Sequence, residues 1–302
     1  MSVGGRSPGK ESPAARLRAL LARPGMIVMP CCFDAWSARL IERAGFPLTF
    51  MSGFAVSAAR LGLPDTGLAS YGEMVAAGRD ICAAVSIPVI GDGDTGYGNA
   101  LNARRTVAGY AQAGFASVMI EDQVAPKRCG HTEGKQVVDR AEAVARVRAA
   151  VDQREAGADI LILARTDARA TDGLDEALWR ARAFEDAGAD IVFVEAPRDE
   201  AEMAAVCRAT SVPNLANMLE GGATPVLPPA RLEALGFRIA AYPLTLLAAA
   251  TTAMERALTD LAAGRTPDGL ASFAHLRDLA GFTDYVAAEK AYAAPPAKPR
   301  RK

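Results

Sequence analysis

Along most of the chain, short apolar runs alternate with longer Ala-rich amphipathic segments. The apolar runs are rich in β-branched residues and predict strands, while apolar positions spaced three and four residues apart predict helices. Ala-Gly pairs such as Ala113-Gly114 end several helical segments just before a strand, since glycine adopts the left-handed backbone that stops a helix. Eight strands are predicted, at residues 25–32, 48–53, 88–94, 117–122, 160–167, 191–197, 214–220 and 237–243.

Strand–helix alternation of this kind predicts a parallel sheet. With eight units, we expect the α/β sheet to close into a (β/α)8 TIM-type barrel, in which every strand ends in a loop on one face. An open doubly wound sheet is the alternative, but such sheets usually carry a Gly-rich turn after the first strand, and none follows here. Beyond residue 244 the pattern predicts extra C-terminal helices, which either cover the barrel or pack on a neighbouring subunit.

The two ends of the chain differ in composition from the rest. Residues 1–13 are polar and rich in Gly and Pro, and the sequence ends in PPAKPRRK. Such segments cannot bury enough apolar surface to fold. We therefore expect one domain over residues 14–292, between a disordered tail at 1–13 and a disordered basic tail at 293–302.

Composition narrows the class of protein. Of 302 residues, 50% are hydrophobic, and the formal net charge is −1, so bulk charge indicates neither a nucleic-acid nor a membrane partner. The N-terminus lacks the apolar segment of a signal peptide, and no apolar run approaches the roughly 18 residues that span a membrane. Five cysteines are too few, and odd in number, for a disulfide framework. We expect a cytoplasmic protein with free thiols.

Polar side chains gather where the predicted strands end. A barrel would bring these ends together on its catalytic face, although an Asp or Asn at a strand end often only caps the next helix. The strand-end residues are Ser52, Gly53, Asp92, Asp94, Glu121, Asp122, Arg165, Asp167, Glu195, Asn217 and Glu220.

Two of these residues predict a metal site. Asp92 and Asp94 are two apart, so in a continuous strand both carboxylates would point the same way. Paired carboxylates without His or Cys suit a hard cation, and Mg²⁺ fits best. Glu121 and Asp122 on the next strand end would complete the shell, directly or through water. The alternative is a Gly-rich turn in which Asp acts only as a turn former.

Cys129 has polar neighbours, unlike the other cysteines. It lies in Lys127-Arg128-Cys129-Gly130-His131, and nearby cations lower the pKa of a thiol. This pattern favours an acid–base group or a nucleophile, against the alternative of a buried, inert thiol. Arg165 ends a strongly apolar strand, where a charge is costly unless paired. It would bind a substrate carboxylate, form an internal ion pair with Asp167 or Glu195, or do both.

With these residues assembled, the chain resembles the isocitrate lyase/phosphoenolpyruvate mutase superfamily. The resemblance runs from about residue 25 to residue 264 and is carried by LGLPDTG, DGDTGYG, IEDQVAPKRCGH, ARTDA, VEAP and NMLEGGATP. It implies a (β/α)8 barrel and a homotetramer, a dimer of dimers in which subunits exchange a C-terminal helix.

The resemblance also implies roles for single residues. Asp92 would bind Mg²⁺ directly, with Mn²⁺ as the alternative ion, and Asp65, Asp94 and Glu121 would hold it mainly through water. Cys129, Gly130 and His131 would lie on a gating loop, where His131 and Glu121 would set the pKa of Cys129. The residues implied to bind a small carboxylate substrate are Ser52, the Gly53 and Phe54 backbone, Arg165, Glu195 and Asn217.

The implied reaction is a retro-aldol cleavage of a small 2-hydroxy di- or tricarboxylate. A 2-oxo acid is released, and Cys129 protonates the enolate that remains. The motifs look closest to the 2,3-dimethylmalate lyase, petal-death-type oxaloacetate hydrolase and methylisocitrate lyase branch. The chain differs from methylisocitrate lyases in carrying Phe50 where they have Tyr.

Three other functions stay open. They are hydrolysis of oxaloacetate to oxalate and acetate, a phosphonate reaction like that of carboxyvinyl-carboxyphosphonate phosphorylmutase, which shares Glu133-Gly134-Lys135, and a non-catalytic dicarboxylate-binding barrel.

Overall fold

The computed structural model describes residues 11–130 and 134–293. Eight strands, numbered β1 to β8 in chain order, span Ile27–Cys32, Thr49–Met51, Val89–Asp92, Ser117–Glu121, Leu161–Thr166, Ile191–Val194, Leu215–Asn217 and Ile239–Tyr242.

The strands form a nearly closed parallel barrel. They pair in the order β6-β5-β4-β3-β2-β1-β8-β7, so the first strand lies beside the last. Between β6 and β7 the backbone contributes one isolated parallel bridge, from Val192 to Asn214. The prediction of a (β/α)8 barrel is confirmed, and the pairing of β1 with β8 excludes the open doubly wound sheet.

All eight strands occur where the sequence predicts them, but each is shorter. The predicted third strand, for example, runs to residue 94, whereas β3 ends at Asp92. Asp94 adopts a left-handed backbone with φ of 47°. The expectation that Asp92 and Asp94 lie on one continuous strand and point the same way is therefore wrong. Asp92, Glu121, Arg165 and Asn217 lie within the paired strands, whereas Ser52, Asp94 and Glu195 follow the last strand residue.

Thirteen α-helices are found in the described residues, with one π-helical turn at Ser57–Leu61. In chain order, α1 to α13 span Pro13–Leu21, Ala35–Arg43, Gly53–Val56, Tyr71–Ala84, Ala100–Ala113, Arg140–Glu155, Ala168–Thr171, Leu174–Asp186, Glu200–Ala209, Pro229–Leu235, Thr245–Ala262, Phe273–Leu279 and Phe282–Tyr292.

Helix α1 closes the bottom of the barrel, which sequence reasoning missed. Ser12 caps the helix by accepting a hydrogen bond from the Ala15 N–H, so the predicted N-terminal tail of 1–13 is wrong at its end. Ala14 and Leu17 are fully buried within the apolar cluster that fills the barrel interior. Residues 1–10 and 294–302 of the predicted tails lie outside the described range.

The chain divides into two compact units, residues 11–251 and residues 252–293. In the second unit many apolar side chains are exposed, among them Leu258, Phe273 and Tyr285. The single domain over residues 14–292 and the exchange of a C-terminal helix stay predictions. Within the described residues, no helix is both long and apolar enough to span a bilayer.

Candidate active site

The alternating geometry of the strands brings the strand-end polar residues into the barrel mouth. Along β5, Leu161 and Leu163 pack inside the barrel, while Ile162 and Ala164 pack against the outer helices. Because side chains alternate in a strand, Arg165 is the next interior position. The same step of two leads from an interior apolar residue to each of Ser52, Asp92, Glu121, Glu195 and Asn217.

These residues line one cavity. Its wall contains ten of the residues predicted for the site: Ser52, Phe54, Asp65, Asp92, Glu121, Cys129, Gly130, Arg165, Glu195 and Asn217. Gly53 and Asp94 contact Asp92 from behind this wall. His131 lies outside the described residues, so its role stays a prediction.

The Asp92 carboxylate is held by two backbone N–H groups. Gly53 donates to Oδ2 at 3.2 Å, and Asp94 donates to Oδ1 at 3.1 Å. Only glycine fits at position 53, because a Cβ there would overlap Asp92 Oδ2 and lie 3.0 Å from its Cγ. Tyr110 on α5 donates its hydroxyl to the Asp92 carbonyl at 2.5 Å, which fixes the end of β3.

Lys127 neutralises two of the predicted metal-binding carboxylates. Its ammonium lies 2.5 Å from Asp65 Oδ1 and 3.1 Å from Asp94 Oδ1, and all three side chains are buried. Burial raises the pKa of Asp94 to about 7, although the Lys127 charge opposes this rise. Burial alone would lower the pKa of Lys127, but the surrounding carboxylates raise it well above its usual range. Sequence reasoning treated Lys127 only as a neighbour of Cys129 and missed this contact.

The carboxylates fit a hard cation that keeps most of its ligands as water or substrate oxygens. Glu121 Oε1 is buried without a hydrogen-bond partner among the described residues, so an acceptor is left for a cation or a bound water. Within the same ranges, no three His, Cys, Asp or Glu side chains converge closely enough to hold a metal by themselves. Mg²⁺ commonly binds through one or two carboxylates and retains several waters, so Asp92 with Glu121 nearby suits it.

Asp122 does not belong to this group. Its carboxylate accepts the Asp167 N–H at 2.9 Å and pairs with Arg180 at 3.0 Å. Glu121 points into the barrel, so its neighbour along the strand points outward. The expectation that Asp122 completes a metal shell is therefore wrong.

Arg165 makes the internal ion pairs that the sequence predicts. Nε and Nη2 donate to the two Asp167 oxygens at 2.8 and 3.0 Å, and Nη2 lies 3.1 Å from Glu195 Oε2. Glu121 Oε2 lies 3.4 Å from Nε. Burial would lower the pKa of Arg165, but Asp167, Glu195 and Glu121 raise it well above its usual range. Arg165 also lines the cavity, so its guanidinium can bind a substrate carboxylate as well.

The Cys129–Gly130 segment lines the same cavity as Asp92. The Gln123 amide holds its start by accepting the Arg128 N–H and donating to the Arg128 carbonyl, both at 2.9 Å. Cys129 is half-buried in the cavity wall and forms no disulfide with another described cysteine. A Cβ on Gly130 would overlap Arg165 Nη2, so only glycine allows the backbone this close.

The other four cysteines occupy apolar surroundings, as predicted. Burial raises the pKa of Cys32 and of Cys207 to about 12, and raises that of Cys31 and of Cys82 well above the usual range. These thiols stay protonated at neutral pH. Cys31 also lines the cavity but packs in the apolar cluster inside the barrel, whereas Cys129 adjoins Gly130, which packs against Arg165 and Glu195.

The remaining wall of the cavity is apolar. Asn217 Nδ2 lies 3.3 and 3.4 Å from the two Glu195 oxygens, and the two side chains mark the boundary with this wall. In the sequence, the members of this wall look like ordinary core residues. They include Phe50, Met119, Phe193, Leu215, Leu219, Pro243 and Leu244.

Comparison with known proteins agrees with this geometry. The model of the phosphoenolpyruvate phosphomutase family matches residues 17–262. The chain belongs to the isocitrate lyase/phosphoenolpyruvate mutase superfamily. The predicted resemblance is confirmed, and the chain is an enzyme of this superfamily.

One relative and two solved structures show which members of the superfamily the chain is similar to. The chain is 45% identical to 2,3-dimethylmalate lyase of Eubacterium barkeri, over 93% of this chain and 98% of that protein. Oxaloacetate acetylhydrolase bound to 3,3-difluorooxalacetate superposes with a TM-score of 0.89 at 36% identity, covering 94% of this chain and 98% of the other. Phosphonopyruvate hydrolase complexed with oxalate and Mg²⁺ has a TM-score of 0.82 at 30% identity, covering 93% and 99%.

Proposed function

We propose that the protein is a Mg²⁺-dependent lyase that cleaves a carbon–carbon bond of a small, alkyl-substituted 2-hydroxy di- or tricarboxylate. The observation that carries this proposal is the placement of Cys129, Arg165 and the Asp92 and Glu121 carboxylates around one cavity. The 45% identity to a named 2,3-dimethylmalate lyase supports it.

Asp92 would hold the cation directly, and Glu121, Asp65 and Asp94 would hold its waters. A cation held there, Mg²⁺ or Mn²⁺, would supply positive charge to stabilise a negatively charged substrate oxygen. Lys127 already offsets part of the charge of Asp65 and Asp94, so the site does not depend on the cation to keep these carboxylates buried.

Arg165 would bind and orient the substrate carboxylate, while Asp167 and Glu195 hold its guanidinium in place. Ser52 and the Gly53 and Phe54 backbone would bind the same substrate carboxylate, and Ser52 and Phe54 line the cavity with Arg165. The Gly53 N–H already donates to Asp92. Gly53 would therefore assist substrate binding by letting the substrate come close to the backbone, not by donating a hydrogen bond to it.

In the reaction, the 2-hydroxyl proton leaves to a base and the bond between C2 and C3 breaks. The oxygen keeps its electrons as the new carbonyl of a 2-oxo acid. The electron pair of the broken bond passes to C3, next to the second carboxylate. The Cys129 thiol then gives its proton to C3, which releases a saturated carboxylate and leaves a thiolate. Glu195 and Asn217 would contact the distal end of the substrate.

The apolar wall supports an alkyl-substituted substrate. Phe50, Leu215 and Leu219 offer no hydrogen-bond partner to a further hydroxyl or carboxylate. Filling such a wall with one methyl group contributes about 1–3 kcal/mol to discrimination. We therefore expect substituted malates to react faster than malate.

The test is incubation of the purified protein and Mg²⁺ with 2,3-dimethylmalate, methylisocitrate and malate, followed by detection of 2-oxo acids. Release from a substituted substrate, lost in Cys129→Ser and kept in Cys207→Ser, is the expected result. The Cys207 control is apt because its thiol lies on α9, outside the cavity wall. If none of the substrates yields a 2-oxo acid, the lyase proposal is wrong.

A second candidate is hydrolysis of oxaloacetate to oxalate and acetate. It is favoured by the structural similarity to oxaloacetate acetylhydrolase. Oxalate formed from oxaloacetate, with the malates inert, would establish this reaction in place of the lyase. A phosphonate product detected by phosphorus NMR would instead indicate the phosphorylmutase reaction.

We also propose a homotetramer built as a dimer of dimers. Helix α11 buries none of its residues within one chain, and Leu258 is 64% exposed. Such a face is typical of a protein–protein contact. Light scattering after gel filtration tests this assembly, and a monomer at micromolar concentration would refute it.

A further inference from the structure

A buried lysine beside the cavity has no part in the reaction proposed above. Lys135 lies between β4 and α6, and its side chain is only 4% exposed. Removing an ammonium group from water is costly unless its charge and its donors are satisfied. The contacts of Lys135 therefore indicate what it does.

Lys135 joins two parts of the site. Its Nζ donates to the Gly130 carbonyl and lies 2.9 Å from Asp167 Oδ1. Asp167 in turn holds Arg165 through both carboxylate oxygens. One unbroken chain of polar contacts thus runs from the backbone beside Cys129 to the guanidinium of Arg165.

The anchor at the middle of this chain is rigid. Asp167 is fully buried, and its backbone N–H donates to the Asp122 carboxylate, which Arg180 pairs at 3.0 Å. A group bonded to Asp167 is therefore bonded to the body of the barrel. Because Lys135 contacts both Asp167 and the Gly130 carbonyl, it restrains the Gly130 backbone relative to the barrel.

Gly130 needs such a restraint because its backbone is packed directly against charged groups. A Cβ at this position would lie 2.5 Å from Glu195 Oε2. The Gln123 amide holds the segment at Arg128, before Cys129, and Lys135 holds it at Gly130, after Cys129. The thiol is thus bracketed on both sides by side-chain contacts with its backbone.

We propose that Lys135 is a positioning residue that fixes the Cys129–Gly130 backbone against Arg165 and so sets the place of the Cys129 thiol. Lys135 acts through the Gly130 carbonyl and Asp167 and does not touch the substrate. The catalytic consequence rests on the proposed function, whereas the effect on the position of Cys129 does not.

The test compares Lys135→Met with Arg154→Met in the full-length protein. Arg154 is a matched control, because it also bridges a glycine carbonyl and a carboxylate, donating to Gly188 O at 3.0 Å and to Asp190 at 2.6 Å, outside the cavity wall. The probe is iodoacetamide, and the readout is the alkylation rate of Cys129, followed by peptide mass spectrometry without substrate.

We expect iodoacetamide to alkylate Cys129 about tenfold faster in Lys135→Met than in the wild type. This factor corresponds to the lower end of the free energy that a hydrogen bond to a charged group contributes. Arg154→Met should react at the wild-type rate. Asp167→Asn, which keeps the shape of the anchor but removes its charge, should also accelerate alkylation. It provides a second reading if Lys135→Met folds poorly by circular dichroism.

A Cys129 alkylation rate in both Lys135→Met and Asp167→Asn within twofold of the Arg154→Met rate would overturn the proposal. If the wild type is active, Lys135→Met should lose kcat about tenfold with little change in KM, because the substrate contacts remain. If the wild type releases no 2-oxo acid, the lyase function fails, but the alkylation rates still decide the role of Lys135.

Discussion

Replacing Arg165 with Met should destabilise the protein far more than the loss of an ordinary surface ion pair. The guanidinium is surrounded by Asp167, Glu195 and Glu121, and these three carboxylates are at most 2% exposed. Methionine fills similar volume but leaves the carboxylates without their cation. Breaking a buried pair by removing one partner typically costs about 3–5 kcal/mol, because the remaining charge stays desolvated.

The assay is urea unfolding at pH 7 in EDTA, which prevents a bound cation from masking the effect. The matched control is Arg231→Met, since Arg231 pairs with Glu200 on the surface, where the side chains are 53% and 41% exposed. Its expected loss is roughly 0–1 kcal/mol. The thermal midpoint of Arg165→Met should fall by on the order of 10 °C. An Arg165→Met variant no less stable than Arg231→Met would refute the reasoning, because the buried carboxylates would then not depend on the guanidinium.

Three further outcomes are expected. We expect Mg²⁺ with oxalate to raise the Tm of the wild type and Gly53→Ala to abolish this rise, because the new Cβ would displace the Asp92 carboxylate; an equal rise in both proteins would contradict the role of Asp92. Hydrogen bonds from Arg169 lower the pKa of Glu202, so this carboxylate stabilises the fold above about pH 4.5 and loses its effect as the pH falls through the lowered pKa. Glu202→Gln should therefore lower Tm at pH 7, and this deficit should shrink as the pH is lowered further below 4.5; a deficit that does not change with pH would count against this assignment. Leu17→Ala should cost about 2–5 kcal/mol in urea unfolding, since Leu17 is fully buried under the barrel, while leaving oxalate binding unchanged.

The barrel was predictable because its signal is periodic. The apolar runs repeat eight times, and several helical segments end in an Ala-Gly pair, of which Gly114 and Gly188 indeed adopt φ of 102° and 99°. Helix α1 was missed because its nine residues lie beside a polar, Gly/Pro-rich segment. Its role is visible only in the structure, where Leu17 packs into the apolar cluster inside the barrel.

Only those site residues that lie at strand ends could be predicted from the sequence. A step of two from each interior apolar residue finds Glu121 and Arg165, and excludes Asp122. The contacts of Lys127 and Lys135 depend on how the loop after β4 folds back, which has no periodic signature. The left-handed backbone of Asp94 could not be predicted either, because the sequence of a turn after a short strand resembles a continuation of that strand.

The gap between β6 and β7 has a consequence for how this enzyme family diversifies. Elsewhere around the barrel, neighbouring strands share several backbone pairs, but here the backbone provides one bridge, at Val192. At the mouth, the hydrogen bonds between Asn217 and Glu195 span the gap with side chains instead. Amide hydrogen exchange should therefore be fastest along this seam. Substitutions there can widen or narrow the distal end of the cavity without breaking a ladder, so new substrates can be accommodated at little cost to the fold.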